Sequence, residues 1–202
     1  MSDIEDAAGS WPVVSTDEEL RNWLITVRTD KVQMPDNHYA ERTVVTHLGA
    51  VAVLALDDAQ RVLMIRQYRH PAGYQLWEIP AGLRDTAGES LLETAQRELF
   101  EETGYRAREW HCLIDYFSSP GYSTERLRIF LARGVEPAED DHYHRKDEEK
   151  FIVVEWVPLQ EAVRLALAGK LHSGPAIAGV LAGYAASSEG FSGLRPASAP
   201  ET

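Results

Sequence analysis

A single cysteine, Cys112, occurs among 202 residues. A disulfide framework is therefore excluded, and a reducing cytoplasm is the natural setting. The thiol itself reads as a small buried hydrophobe. Long apolar runs are also missing: no stretch approaches the roughly 20 residues that a membrane-spanning helix needs. Residues 1–10 are small and acidic, lack every feature of a signal peptide, and are expected to be disordered. Positive charge is scarce. Twenty Lys and Arg face 32 Asp and Glu, a net charge of −12, which argues against nucleic acid as a partner. The same deficit means that an anionic substrate would be accepted only where metal ions or a few local arginines reverse the field.

What is present fits one well-packed domain with a small addition. Residues 11–47 read as a β unit with strand-like stretches at 23–28, 31–34 and 42–45 and a turn at Pro35-Asp36-Asn37. Residues 16–20 allow the start of a short helix. A domain over 48–186 follows. Its first strand, 49–56, is apolar throughout and so is buried on both faces. Further strands are expected at 61–66, 75–79, 110–117, 127–132 and 151–157. Helices are expected at 160–168, ended by Gly169, and at 174–186. Residues 135–149 are polar and aperiodic and read as a mobile loop, and 187–202 as a flexible tail. Strands before and after a central helix, with helices later, make this α/β, a mixed sheet sandwiched by helices.

The central helix lies within residues 88–105. Ser90 and Glu93 form a capping box, and Gly104 falls where a left-handed cap ends a helix. At about 100° per residue, Leu91, Leu92, Ala95 and Leu99 make one apolar stripe. Glu98 and Glu102, four apart, fall at the edge of that stripe instead of opposite it. Two half-buried carboxylates repel each other and resist desolvation, so they call for a cation, and Mg²⁺ or Mn²⁺ suits oxygen ligands. The bland alternative is a solvated acidic face.

Glu89 followed by Arg97-Glu98-Leu99-Phe100-Glu101-Glu102-Thr103-Gly104-Tyr105 resembles the Nudix box, G-x5-E-x7-R-E-U-x-E-E-x-G-U, where U is apolar. One departure is real: six residues, not five, separate Gly82 from Glu89. Gln67-Tyr68-Arg69, the run Trp77-Glu78-Ile79-Pro80-Ala81-Gly82, and the run from Ser119 to Glu125 are similar to segments of one Nudix subgroup, the ADP-ribose pyrophosphatases. Pro120, sixteen residues past Gly104, also marks that subgroup.

The resemblance implies the Nudix α/β/α sandwich with a small N-terminal antiparallel β unit exchanged in a homodimer. It also implies Mg²⁺-dependent hydrolysis of ADP-ribose to AMP and ribose 5-phosphate, with Mn²⁺ as a possible substitute. Metal ligands would be Glu98, Glu102 and the backbone carbonyl of Ala81, with Glu101 as a further ligand. Arg97 would orient a glutamate, and Glu89 would be either a third ligand or a loop brace. The catalytic base would be Glu149 or its neighbour Glu148, with Glu102 also counted in the catalytic set. Arg69 and Arg42, the latter from the partner subunit, are candidates for the phosphates or terminal ribose, against the alternative of surface ion pairs. Glu78 would accept from the adenine amino group or cap the nearby turn, beside a Trp77 that reads as core. Ser123 and Glu125 would line the ribose end. A zinc site at His142-Tyr143-His144 is rejected for want of a third spaced ligand.

Two other functions compete. One keeps the fold and metals but takes a GDP- or UDP-sugar. The other is a non-catalytic ADP-ribose sensor, which would need an appended basic DNA-binding module and would tolerate lost glutamates. This chain shows neither.

Overall fold

The computed structural model describes residues 4–138 and 150–201. Their contacts divide them into two units. The first takes the described residues up to Leu48 together with Ser119–Glu125; the second takes Gly49–Ser118 and the described residues from Arg126 on.

The first unit is an antiparallel meander of β1 (Val13–Arg21), β2 (Ile25–Gln33) and β3 (Tyr39–His47), in that spatial order. Residues 16–20, where the sequence also allows a helix, lie inside β1. The stretches 23–28 and 31–34 are not two strands: most of both lies in the single strand β2. Asp30 explains the continuity, because it is buried yet accepts hydrogen bonds from Thr16 Oγ1 at 2.8 Å and Arg28 Nε at 3.1 Å. Asn37, at φ 66°, turns the chain into β3. Residues 119–125 lie beside β3, where Val45 N–H donates to Tyr122 O at 2.7 Å and Thr124 N–H donates to Val45 O at 3.0 Å.

In the second unit a five-stranded mixed sheet contains β4 (Ala50–Ala55), β7 (Ala81–Leu83), β8 (Tyr105–Phe117), β9 (Arg126–Pro137) and β11 (Arg195–Pro196). Their order is β11-β8-β9-β4-β7, with β4 parallel to β9 and antiparallel to β7. A second, antiparallel sheet has the order β10-β5-β6, built from β5 (Arg61–Arg69), β6 (Tyr74–Glu78) and β10 (Val153–Pro158). All of β4 is buried, and its side chains alternate between two apolar clusters. Val51, Val53 and Ala55 join Ala95 and Leu99 of α1 (Leu91–Thr103). Ala52 and Leu54 join Ala162 of α2 (Leu159–Leu167) and Ala176 and Val180 of α3 (Gly174–Ser187). Gly183 permits the close approach of α3, since a Cβ there would stand 2.1 Å from Leu54 Cδ2. Each buried Leu or Val contributes about 1.5–3 kcal/mol, which drives helices onto both faces. The expected α/β/α sandwich results.

Two expectations change. Val135, Glu136 and Pro137 continue β9 instead of opening a loop, paired with Ala107, Arg106 and Tyr105. The stretch read as a flexible tail is tied down: Phe191 and Leu194 pack on the core, and β11 pairs with Cys112 and His111. Its composition hid this, because the partner is Arg128 of β9. That side chain is 2% exposed and donates to Ala199 O at 2.6 Å and Pro200 O at 2.9 Å. Cys112 is buried, as expected. Among the described residues no helix is long and apolar enough to cross a membrane.

Candidate active site

The capping box closes α1 as its sequence requires. Ser90 Oγ accepts from Glu93 N–H at 3.3 Å, and the Glu93 carboxylate accepts from Ser90 N–H at 2.8 Å. Gly104, at φ 76°, ends the helix with its N–H on Phe100 O at 2.7 Å. So fixed, the helix turns its last carboxylates toward β7. Glu102 is 5% exposed, and its Oε2 accepts from the Ala81 amide at 2.9 Å. Burial pushes this carboxyl up to about 8. The Ala81 hydrogen bond and the Arg69 charge oppose the rise, and the charges of Glu98 and Glu78 add to it.

Gly82 makes room for the second carboxylate, since a Cβ there would fall 2.0 Å from Glu98 Cδ. Arg97 gathers the surrounding acids. Its Nη1 donates to Glu98 at 2.6 Å and Glu101 at 3.3 Å, and its Nη2 donates to Glu89 at 3.0 Å. Glu89 also accepts from Thr94 Oγ1 at 3.0 Å, so its carboxylate is tied to α1 through both Thr94 and Arg97. Thr94 carried no signal in the sequence, where it is an ordinary helix residue.

Arg69 and Glu78 form an ion pair at 2.7 Å, and Gln67 Nε2 donates to the same carboxylate at 3.2 Å. Glu78 is therefore engaged by a cation, not by the nearby turn. Trp77 is partly buried against the core, with the Arg66 guanidinium 5.3 Å from its ring centroid. The structure thus brings together Ala81, Glu98, Glu101, Glu102, Arg69 and Glu78 within the second unit. In the first unit, Ser123 Oγ accepts from Glu125 N–H at 3.1 Å, His47 stands 3.6 Å from Glu125, and Arg42 is exposed on β3 with Nη1 on Glu41 O at 2.8 Å. Glu148, Glu149, His142 and His144 lie outside the described residues.

As the side chains stand, no three His, Cys, Asp or Glu among the described residues converge on a metal position, because Arg97 engages Glu98 and Glu101 and Glu102 turns to Ala81. The donor set nevertheless fits a divalent cation. Glu102 is a carboxylate whose charged form is disfavoured first by burial and then by the charges of Glu98 and Glu78, a cost that a cation would relieve, and Gly82 leaves the Glu98 carboxylate free of crowding.

The NUDIX domain matches residues 46–178. The chain belongs to the Nudix family. An ADP-ribose pyrophosphatase of Mycobacterium tuberculosis is 43% identical over 173 residues, 86% of this chain and 82% of that protein. An ADP-ribose pyrophosphatase of Bacillus subtilis is 37% identical over 142 residues, 70% of this chain and 75% of that protein. A crystal structure described as an ADP compounds hydrolase superposes with a TM-score of 0.75 at 18% identity. It covers 92% of this chain and 99% of that one, so the two share a fold. The α1 box of this Nudix chain keeps its place against β7 despite the extra loop residue, since Gly82 lies against Glu98 and the Ala81 amide meets Glu102.

Proposed function

We propose that this Nudix chain hydrolyses the diphosphate of ADP-ribose to AMP and ribose 5-phosphate, with Mg²⁺ as the working ion and Mn²⁺ as a substitute. One observation carries the reading: Glu102 is 5% exposed with its carboxylate on the Ala81 amide at 2.9 Å, one helical turn from a Glu98 carboxylate that lies against Gly82, and burial disfavours the charge that a cation would balance. The substrate follows from the two ADP-ribose pyrophosphatases to which the chain is similar. When bound, divalent ions neutralise phosphate oxygens and ease deprotonation of water.

Glu98, Glu102 and the Ala81 carbonyl would hold the ion, with Glu101 as a further ligand. Arg97 and Glu89 set the orientation of those carboxylates. Glu149, or else Glu148, takes the proton of the attacking water. Arg69 and Arg42 meet the phosphates or terminal ribose, Glu78 the adenine amino group, and Ser123 and Glu125 the ribose end. Because Arg69 and Glu78 pair in this structure, their engagement with substrate means sharing or opening that pair.

A homodimer built on the N-terminal β unit is part of the reading. Trp11, Val13, Val14, Leu20 and Tyr39 are about half exposed and Trp23 more so, an apolar set that a second copy of the unit would cover. The lone buried thiol accords with a cytoplasmic setting.

The test is product analysis on ADP-ribose in ¹⁸O-labelled water, with and without Mg²⁺, beside GDP-mannose and UDP-glucose. Mg²⁺-dependent release of labelled AMP or ribose 5-phosphate, faster than turnover of either sugar nucleotide, is the expected result. Preference for a sugar nucleotide would move the substrate, and no turnover of any of the three would refute the hydrolase.

A further inference from the structure

The stretch after α3 crosses the sheet toward the metal-holding strand. It begins beside β8, where Arg195 donates to Asp115 at 2.9 Å. Ala199 and Pro200 then place their carbonyls on Arg128 of β9, and Glu201 reaches Arg84 Nη1 at 3.1 Å. The strands under this path pair Asp115 with Arg128, Arg128 with Val51, and Val51 with Gly82. Val51 belongs to the α1 face, where Ala197 also packs. The strap thus follows one register line across that face, and the line ends at the glycine beneath Glu98.

Arg84 follows directly on β7, a three-residue edge strand that pairs with β4. So short a ladder holds its strand weakly, and it needs other anchors. Arg84 N–H donates to Gly49 O at 3.2 Å, and its side chain lies against Gly49, where a Cβ would meet Arg84 Cδ at 3.2 Å. The next residue, Asp85, stands 3.8 Å from Arg97. Residue 85 is thus held from the helix side, and residue 84 from the strap.

We propose that residues 191–201 position the edge strand that carries Ala81 and Gly82, acting through the Glu201–Arg84 ion pair, so that the strap tunes metal affinity from outside the site. The proposal rests on the metal site inferred above. Arg84 and Glu201 are positioning residues: each acts through the backbone of β7.

The full chain carrying Glu201→Arg, Arg84→Glu, or both is the test. Mn²⁺ affinity by electron paramagnetic resonance and amide exchange of residues 81–88 in metal-free protein are read beside thermal stability. Each single substitution is expected to weaken Mn²⁺ binding about tenfold, the scale of supporting contacts around metal ligands, and to speed exchange at 81–88. The double substitution restores both. Singles with wild-type affinity and exchange, or a double no better than the singles, overturn the proposal. Wild-type protein that binds no Mn²⁺ sinks the metal reading itself, a result distinct from wild-type affinity left unmoved by the variants.

Discussion

Glu102 Oε2 accepts a 2.9 Å hydrogen bond from the amide of Ala81, which ties the last turn of α1 to the edge strand β7. That contact places a buried carboxylate one helical turn from Glu98, whose own carboxylate lies against Gly82, and most of the expectations below follow from it.

Glu98→Gln and Glu102→Gln each remove a carboxylate proposed to hold the metal while leaving a polar side chain of the same shape. Turnover of ADP-ribose should fall by about 10²-fold or more, the scale for losing strong electrostatic stabilisation, with circular dichroism unchanged. Near-normal turnover in either variant would exclude ligation there.

Glu102 also predicts how metal-free stability depends on pH. Its carboxyl is raised from 4.5 to about 8 in the folded protein, so the folded state keeps a proton that the unfolded chain releases. Stability from this group is fully present below pH about 4.5 and is lost as pH rises toward about 8. In EDTA the wild type should lose thermal stability relative to Glu102→Gln across that window, and Mg²⁺ should reverse the loss with release of protons at pH 7. Parallel melting curves for the two proteins would show that Glu102 does not titrate there.

Gly82→Ala inserts a methyl where the Glu98 carboxylate lies, 2.0 Å from Cδ. A flexible carboxylate moves before a backbone does, so the fold should survive and metal affinity should drop. Isothermal titration with Mn²⁺ checks this, and unchanged affinity would show that Glu98 acts from another position.

Asp115 holds Arg128 with two hydrogen bonds, of 2.6 and 2.8 Å. Burial opposes ionisation of this carboxyl, but the bonds from Arg128 and Arg195 outweigh it and hold it below its usual range. Its stabilisation is present above the unfolded value near 3.8 and lost as pH falls through the lower folded one. Asp115→Asn leaves Arg128 buried without its counter-charge and should cost about 3–5 kcal/mol in urea unfolding. Loss of less than about 1 kcal/mol would mean that the Ala199 and Pro200 carbonyls suffice for Arg128.

Glu149→Gln and Glu148→Gln should separate at saturating Mg²⁺, with kcat falling about 10²-fold or more for the base and little for its neighbour. Equal small losses would remove both from proton transfer.

Much of this was legible in order along the chain, because the signals are local. A capping box, a stripe at period 3.6 and a terminal glycine define α1 and its carboxylate face before any partner is known. The apolar run of β4 likewise declares burial on both faces. The pairing of Arg69 with Glu78 was less legible, since nine residues and a turn separate them. The strand at 13–21 was missed because its residues are exposed and mostly polar, so no alternation marked it.

By itself the sequence determined α1, its caps, the spacing of Glu98, Glu101 and Glu102, and the buried central strand, because each depends on neighbours within a turn or two. Only the tertiary structure decided that Glu102 meets Ala81, that Gly82 lies beneath Glu98, and that residues 191–201 bind across the sheet. Those contacts join groups 16 to 117 residues apart. A Ser-, Pro- and Ala-rich stretch carries no mark of the buried arginine that orders it, since the acceptors are backbone carbonyls that every residue possesses.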